Sequence, residues 1–358
     1  MVTLRHLDMN VNIIDPTIDD RWDDFVYGRE RSTIFHTSAW ARVIQEAYHY
    51  EPRYHVLVNE DGQIIAAIPL FFIRSKLTGN RLVCLPFSDY CYPLGDNAKH
   101  ISLLLSSVKK EVMVGAASYL EVRGLQNTIT PTQLDLRARN YHVLYMLSLN
   151  LGADALKERL HHSIKRGIHQ AEERGVKCRI TCNEDDIDRF YKLNVDTRKK
   201  LGVLPQPHAF FKSLFHNVIS QNLGFIMLAE CDGKVIAGII FLTHKDTIYY
   251  KYNASDEKYL RKRPNHLATW QTIQYACANN YKHFDFGRCA PEEEGLRIYK
   301  SRWGAKEVEL PYYYYPQVKG FAVVAEDSLR YRAMKFFSHI VPQSAFKVAG
   351  SIMYKHLG

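Results

Sequence analysis

Two short strings carry the side chains best suited to chemistry. Phe284-Asp-Phe-Gly-Arg288 sets a carboxylate and a guanidinium in an otherwise apolar run, and Tyr299-Lys-Ser-Arg-Trp-Gly304 sets a lysine between an aromatic ring and a turn-forming Trp-Gly pair. A cation fixed there, Lys300, could sit beside a carbonyl oxygen as it becomes anionic, where one preorganised donor is worth ~3 kcal/mol. Its plainer reading is an exposed lysine at a strand entry. Arg288 could take a phosphate or carboxylate bidentately, or pair with Asp285 or with Glu292-Glu-Glu294. Asp285 could act as a base, but a lone carboxylate between phenylalanines reads more readily as a structural acceptor or an orienter of Arg288. Along Tyr249-Tyr-Lys-Tyr252, strand alternation predicts that Tyr250 and Tyr252 point the same way. Lys165 and Arg166 either grip a pyrophosphate or form a solvated helix face.

The elements that must position these residues come in two sets. Val56-Leu-Val-Asn-Glu-Asp-Gly-Gln-Ile-Ile-Ala-Ala-Ile68 aligns without a gap on Met227-Leu-Ala-Glu-Cys-Asp-Gly-Lys-Val-Ile-Ala-Gly-Ile239. In both copies an Asp-Gly pair between β-rich runs predicts a hairpin with a type I′ turn. A helical stretch follows each, about 98–117 and 265–279, and then a short strand with one acid, Glu121 or Asp285. The same three elements in the same order predict two copies of one mixed α/β unit.

Leu156, Leu160, Ile164, Ile168 and Ala171 form an apolar stripe that predicts one helix, capped by Asp154 and closed by Gly175. Arg159, His162, Lys165, Arg166 and His169 lie opposite. The expected division is a first domain over 1–151, a second over 152–320 and a basic amphipathic helical tail over 321–358. From Ser328 onward that tail carries Arg330, Arg332, Lys335, Lys347 and Lys355 without an acid, interleaved with Phe336, Phe337, Ile340, Val341, Phe346, Val348, Ile352 and Met353. Pro342 should split it in two. Such a segment either packs on the second domain or rests on anionic lipid. Tyr312 to Tyr315 read as a buried final strand.

The composition fits a folded globular protein: 46% hydrophobic and 24% charged residues over 358 positions, long enough for two domains. The net charge of +9 favours phosphates, nucleic acid or an anionic membrane as partners, or is simply a basic surface. Seven cysteines without a CxxC, and no apolar leader in Met1 to Asp15, point to a reducing cytoplasm with neither a disulfide framework nor a metal site. No uncharged apolar run reaches the ~18–20 residues needed to span a bilayer.

The closing strings Phe284-Asp-Phe-Gly-Arg288 and Tyr299-Lys-Ser-Arg-Trp-Gly304 resemble the "FDFGR … FKxxWG" signature of Fem-type proteins, the peptidoglycan interpeptide-bridge aminoacyltransferases and their relatives. His36-Thr-Ser-Ala-Trp40, Ile68-Pro-Leu70, Lys165 to Gly175 and Leu201-Gly-Val-Leu-Pro205 add to the resemblance, which runs from about Asp23 to Tyr315. It implies two tandem GNAT-like domains, each a mixed sheet flanked by helices. It also implies an acyl or aminoacyl transferase acting on an amine of a phosphorylated envelope precursor, with a nucleotide- or lipid-linked sugar as acceptor. Lys300 and Asp285 would be catalytic, and Arg288, Tyr252, Tyr299, Lys165, Arg166 and Asn265 would bind substrate. No cofactor would be tightly bound.

The sequence lacks a long heptad run like that of the coiled-coil arm in bridge enzymes, and Arg261-Lys-Arg-Pro-Asn-His266, at the pyrophosphate-turn position, has no glycine. The donor therefore stays open between aminoacyl-tRNA and acyl-CoA. Two alternatives stand beside this reading: a CoA-dependent N-acyltransferase of exopolysaccharide synthesis, and a catalytically silent GNAT-like binding protein. DNA is not an expected partner. The expected location is the cytoplasm, with peripheral contact at the inner face of the membrane through the tail.

Overall fold

A computed structural model describes residues 11–125, 131–316 and 341–357. They form two compact units. One holds the described residues up to Arg139 together with 311–316 and 356–357, and the other holds Asn140–Leu310 and 341–355.

In the first unit, Tyr54–Val58 and Ile64–Ile68 make the first of the two expected hairpins, flanked by Val11–Ile14 and Leu94–Gly95 in a four-stranded sheet. Leu70–Ile73 pairs with Arg81–Cys84, which lies parallel to Tyr119–Arg123. A parallel pair needs a crossover, and the helix Ala98–Met113 supplies it, burying Ile101, Leu104, Leu105, Val108 and Val112. Glu121 on the closing strand pairs with Arg123 at 2.7 Å, both buried.

The second unit repeats the plan. Lys177–Thr181, Gly224–Cys231, Lys234–His244 and Thr247–Ser255 run antiparallel, and Thr247–Ser255 then pairs in parallel with His283–Cys289. Here the crossover is the helix Pro264–Ala278. That parallel pairing covers only Thr247–Tyr249 against His283–Asp285. The fold is thus the expected α/β arrangement of two tandem units. Each sheet also ends on a strand from the other half of the sequence. Tyr312–Tyr315 pairs with Leu120–Arg123 in the first unit, and Val143–Ser148 pairs with His283–Cys289 in the second.

Local differences have physical causes. At the second hairpin Asp232 and Gly233 both take positive φ, as a type I′ turn requires. At the first only Gly62 does, because the Asn59 side chain accepts the Gln63 amide at 2.8 Å and closes a wider loop. The expected single helix between the cap Asp154 and Gly175 is two, Gly152–Arg159 and His162–Glu173. Leu160 turns out of helical geometry at ψ 140°, His161 caps the second helix through the Ser163 amide, and Asp154 lies inside the first turn. The apolar stripe survives the break, with all five of its residues buried.

A register shift opposite Ile240/Phe241 inserts Lys251 as an extra residue between Tyr250 and Tyr252. The two tyrosines therefore face opposite sides of the sheet, contrary to simple alternation. Tyr250 packs on Phe241, Phe284 and Phe286, and Tyr252 on Phe210 and Phe211.

In the tail, Pro342 precedes the helix Gln343–Tyr354. Phe346 is buried, and Gly350 lies so close to the Pro205 carbonyl that a Cβ would come within 2.3 Å of it. Val348 and Ile352 stay exposed. The expected tail contacts of Ser328 to Ile340 lie outside the described residues. No helix among the described residues is long and apolar enough to cross a membrane.

Candidate active site

The parallel strand His283–Cys289 ends in a bulge. Its register against Val143–Ser148 shifts between Asp285 and Arg288, and Gly287 adopts φ 71°, a conformation that favours glycine. Asp285, almost wholly buried, accepts the Gly287 amide at 2.7 Å and fixes this turn. The turn in turn presents two carbonyls. Lys300, on the helix Glu294–Ser301, donates from Nζ to Gly287 O at 2.8 Å and to Arg288 O at 3.0 Å. Its side chain is buried, not the exposed strand-entry lysine of the plainer reading. The two strings that could do chemistry are therefore one structure, joined through backbone.

Around Lys300 lies a network that the sequence did not disclose. Its Nζ is 5.7 Å from the centre of the Tyr145 ring. The Tyr145 hydroxyl donates to Glu307, which Arg297 clamps at 3.0 Å. The Tyr145 hydrogen bond, with help from Arg297, holds the Glu307 carboxyl below the usual range, while burial and Glu307 push the Tyr145 phenol up. Tyr145 belongs to the strand that precedes the second half, and no local spacing could have paired it with Lys300.

A cleft of about 360 Å³ opens between the basic helix His162–Glu173, the start of the helix Pro264–Ala278 and the Lys300 helix. Arg166, Arg263 and Arg302 line it together with Ser163, His266 and Tyr299. Tyr299 points its ring at His266 and Trp303, with centroids 5.7 and 6.1 Å away, and burial pushes its phenol up. Gly167 admits the His266 ring, since a Cβ there would meet Cδ2 at 2.4 Å. Burial, then the Arg263 charge, pushes the His266 imidazole down to about 4, so it is neutral at pH 7.

The other residues singled out in the sequence are scattered. Lys165 turns away from the cleft to the Glu158 carbonyl at 2.8 Å. Asn265 hydrogen bonds the Ser255 hydroxyl at 2.9 Å, tying the helix start to the strand before it. Tyr252 packs on the far side of the sheet from Tyr250. Arg263 and His266 belong to the stretch Arg261 to His266 at the pyrophosphate-turn position, and Arg302 to the closing string, but none of the three was singled out as a site residue. The signal for the helix face was present, as Ser163, Arg166, Gly167 and Gln170 fall at helical i, i+3, i+4 and i+7 spacing.

Residues 158–301 match the family model "Acetyltransferase (GNAT) domain". The fold is similar to that of FemX, with a TM-score of 0.69 at 15% identity over 86% of this chain and 97% of that one. L-PGS from Bacillus licheniformis aligns with a TM-score of 0.56 at 11% identity, over 92% and 98% of the two chains. A tandem GNAT protein from the clavulanic acid biosynthesis pathway aligns at 0.53 with 8% identity, over 86% and 98%. No curated protein matches the sequence. Residues 158–301 thus carry an acetyltransferase-type GNAT domain, and the two-unit fold is similar to that of a tandem GNAT protein. This likeness of fold to FemX agrees with the resemblance carried by the closing strings Phe284–Arg288 and Tyr299–Gly304.

Proposed function

We propose that the protein transfers an acyl or aminoacyl group to an amine of a phosphorylated cell-envelope precursor, a nucleotide- or lipid-linked sugar. The observation that carries this reading is Lys300, a buried cation held by the Gly287 and Arg288 carbonyls inside the stretch that matches the acetyltransferase family. The amine nitrogen attacks the donor carbonyl, the new C–N bond forms, and the bond to the leaving thiol or ribose hydroxyl breaks. The nitrogen's proton passes to that leaving group. Lys300 stays protonated throughout and offsets the negative charge on the carbonyl oxygen, a term worth ~3 kcal/mol for one preorganised donor. Asp285 is a positioning residue in this scheme, because its carboxylate holds the turn that holds Lys300.

Either donor fits this chemistry, acyl-CoA or aminoacyl-tRNA. The test is incubation of the purified protein with acetyl-CoA or a charged tRNA pool and a panel of nucleotide- and lipid-linked envelope precursors. A precursor that gains the mass of the donated group supports the proposal. No product with either donor class overturns it.

The reading also places the protein in the cytoplasm, touching the inner face of the membrane. What supports contact is the exposed Val348 and Ile352 beside Lys347 and Lys355 on the helix Gln343–Tyr354. Each cation near an anionic surface adds ~1 kcal/mol. Co-flotation with phosphatidylglycerol vesicles that is lost in a Val348→Ser/Ile352→Ser variant supports contact; wild-type protein that stays unbound at low salt rules it out.

A further inference from the structure

We infer that Tyr145 is a positioning residue for Lys300, and that Glu307 and Arg297 set it in place. This deepens the proposed transferase reading and rests on it for the reaction that Lys300 serves. The place of Tyr145 follows from the strand bulge. Where His283–Cys289 pairs with Val143–Ser148, Asp285 faces Met146 and Arg288 faces Leu144. Tyr145 is the one residue between those partners and stands opposite Phe286 and Gly287. A bulge re-aims the side chains around it. Here the bulged strand turns its Gly287 and Arg288 carbonyls to Lys300 Nζ, and the same ammonium lies over the Tyr145 ring, 5.7 Å from its centre. Tyr145 and Lys300 are 3% and 5% exposed, and an aromatic face holds a cation more strongly where water is excluded.

A ring that holds a cation must itself be held. The Tyr145 hydroxyl donates to Glu307, on the strand that begins at Lys306. Arg297 grips the same carboxylate with both edges of a fork, from Nε to Oε2 at 3.1 Å and from Nη2 to Oε1 at 3.2 Å. Arg297 stands three residues before Lys300 on the helix Glu294–Ser301, so the two share a face. The four side chains therefore close a loop. Arg297 and Glu307 tie the helix to one strand, Glu307 and Tyr145 tie that strand to the next, and Tyr145 meets the helix again at Lys300. Rolling the helix would strain both of its ends at once. A donor fixed in this way needs no rearrangement as charge grows on the carbonyl oxygen of the donor group.

The experiment reads Lys300 both with and without turnover. In full-length protein grown on isotope-labelled lysine, the NMR signal of the Lys300 side chain is identified by its loss in Lys300→Met. The Tyr145 ring should displace that signal from those of exposed lysines. Y145L should move it back toward them, and Y145F, which keeps the ring, should hold it near its wild-type position. E307A keeps the ring but unties it, so the signal should move part of the way. Glu307 is 37% exposed, so E307A should stay folded and decides the matter if a thermal melt shows that Y145L does not. In single-turnover transfer, Y145L should lower the maximal rate about tenfold at an unchanged half-saturating acceptor concentration. Y145F should recover most of that loss, and E307A should fall between the two.

A Lys300 signal that stays in place in both Y145L and E307A overturns the inference, whether or not transfer is observed. A folded Y145L protein that transfers at the wild-type rate overturns it too. So does a loss that appears in the half-saturating acceptor concentration and is not restored by phenylalanine. If the wild type transfers to no acceptor, the reading of function fails, and the Lys300 signal alone decides whether Tyr145 positions the lysine.

Discussion

Lys300 Nζ lies 2.8 Å from the Gly287 carbonyl, across thirteen residues of sequence, and this bond helps join a strand bulge to a helix. Together with the bond to the Arg288 carbonyl it holds Nζ in one place. The carbonyls face Lys300 because Gly287 alone tolerates the φ of 71° that turns them, and because Asp285 pins the Gly287 amide. The position of the lysine thus depends on residues that need never touch substrate.

Asp285 separates the two roles the sequence allowed it. Asn at this position keeps an oxygen to accept the Gly287 amide, whereas Ala leaves a buried N–H without a partner at a cost of about 1–3 kcal/mol. Asp285→Asn should therefore keep most of the turnover and stability, and Asp285→Ala should lose both. Urea denaturation and initial rates on the two variants check this. Full loss of turnover in a stable Asp285→Asn protein would make Asp285 the base instead.

His266 should make stability depend on pH. Its value of about 4 in the folded protein lies below the ~6.5 of an unfolded histidine. The unfolded chain therefore binds a proton that the folded chain refuses. Stability is complete above pH 6.5 and declines as pH falls toward 4, by about 3 kcal/mol at most. Urea midpoints at pH 7 and pH 5 should differ more in the wild type than in His266→Gln. Equal differences would mean that His266 is not the group involved.

Gly167→Ala sets two effects against each other. Alanine gains about 1 kcal/mol of helix propensity over glycine. Its Cβ would come 2.4 Å from the His266 ring, which cannot swing aside easily because Tyr299 and Trp303 pack against it. Overpacking of this kind costs about 1–3 kcal/mol. A net loss of stability and a disturbed His266 resonance are the expected outcomes, and a variant more stable than wild type would contradict the close contact.

Phe346 is 1% exposed on a helix that also seats Gly350 against Pro205. Phe346→Ala should cost about 3–5 kcal/mol, as for other buried phenylalanines. An unchanged melting temperature would mean that this helix does not pack on the second unit in solution.

The sequence carried much of the fold. The ungapped match around Asp61-Gly62 and Asp232-Gly233 disclosed the repeated unit because hairpin turns are local. The stripe from Leu156 to Ala171 marked the buried helix face, although not its break at Leu160. Exchange of the final strands was not legible, since Tyr312–Tyr315 and Val143–Ser148 read alike as apolar strands whichever sheet takes them. The site was half legible for the same reason. Lys300 and Asp285 sit in a compact string, whereas Tyr145 and Glu307 meet only through tertiary structure. Tyr252 was misplaced beside Tyr250 because one bulge residue, Lys251, inverts every orientation after it.

The most direct measurement is single-turnover transfer by Lys300→Met against the wild type, at saturating donor and acceptor. Methionine fills the space without the charge, leaving two carbonyls unbonded at a stability cost of about 1–3 kcal/mol, so the variant should remain folded. The predicted result is a rate lower by roughly 10²–10³ with little change in acceptor affinity. A folded Lys300→Met protein that transfers at the wild-type rate would contradict the account.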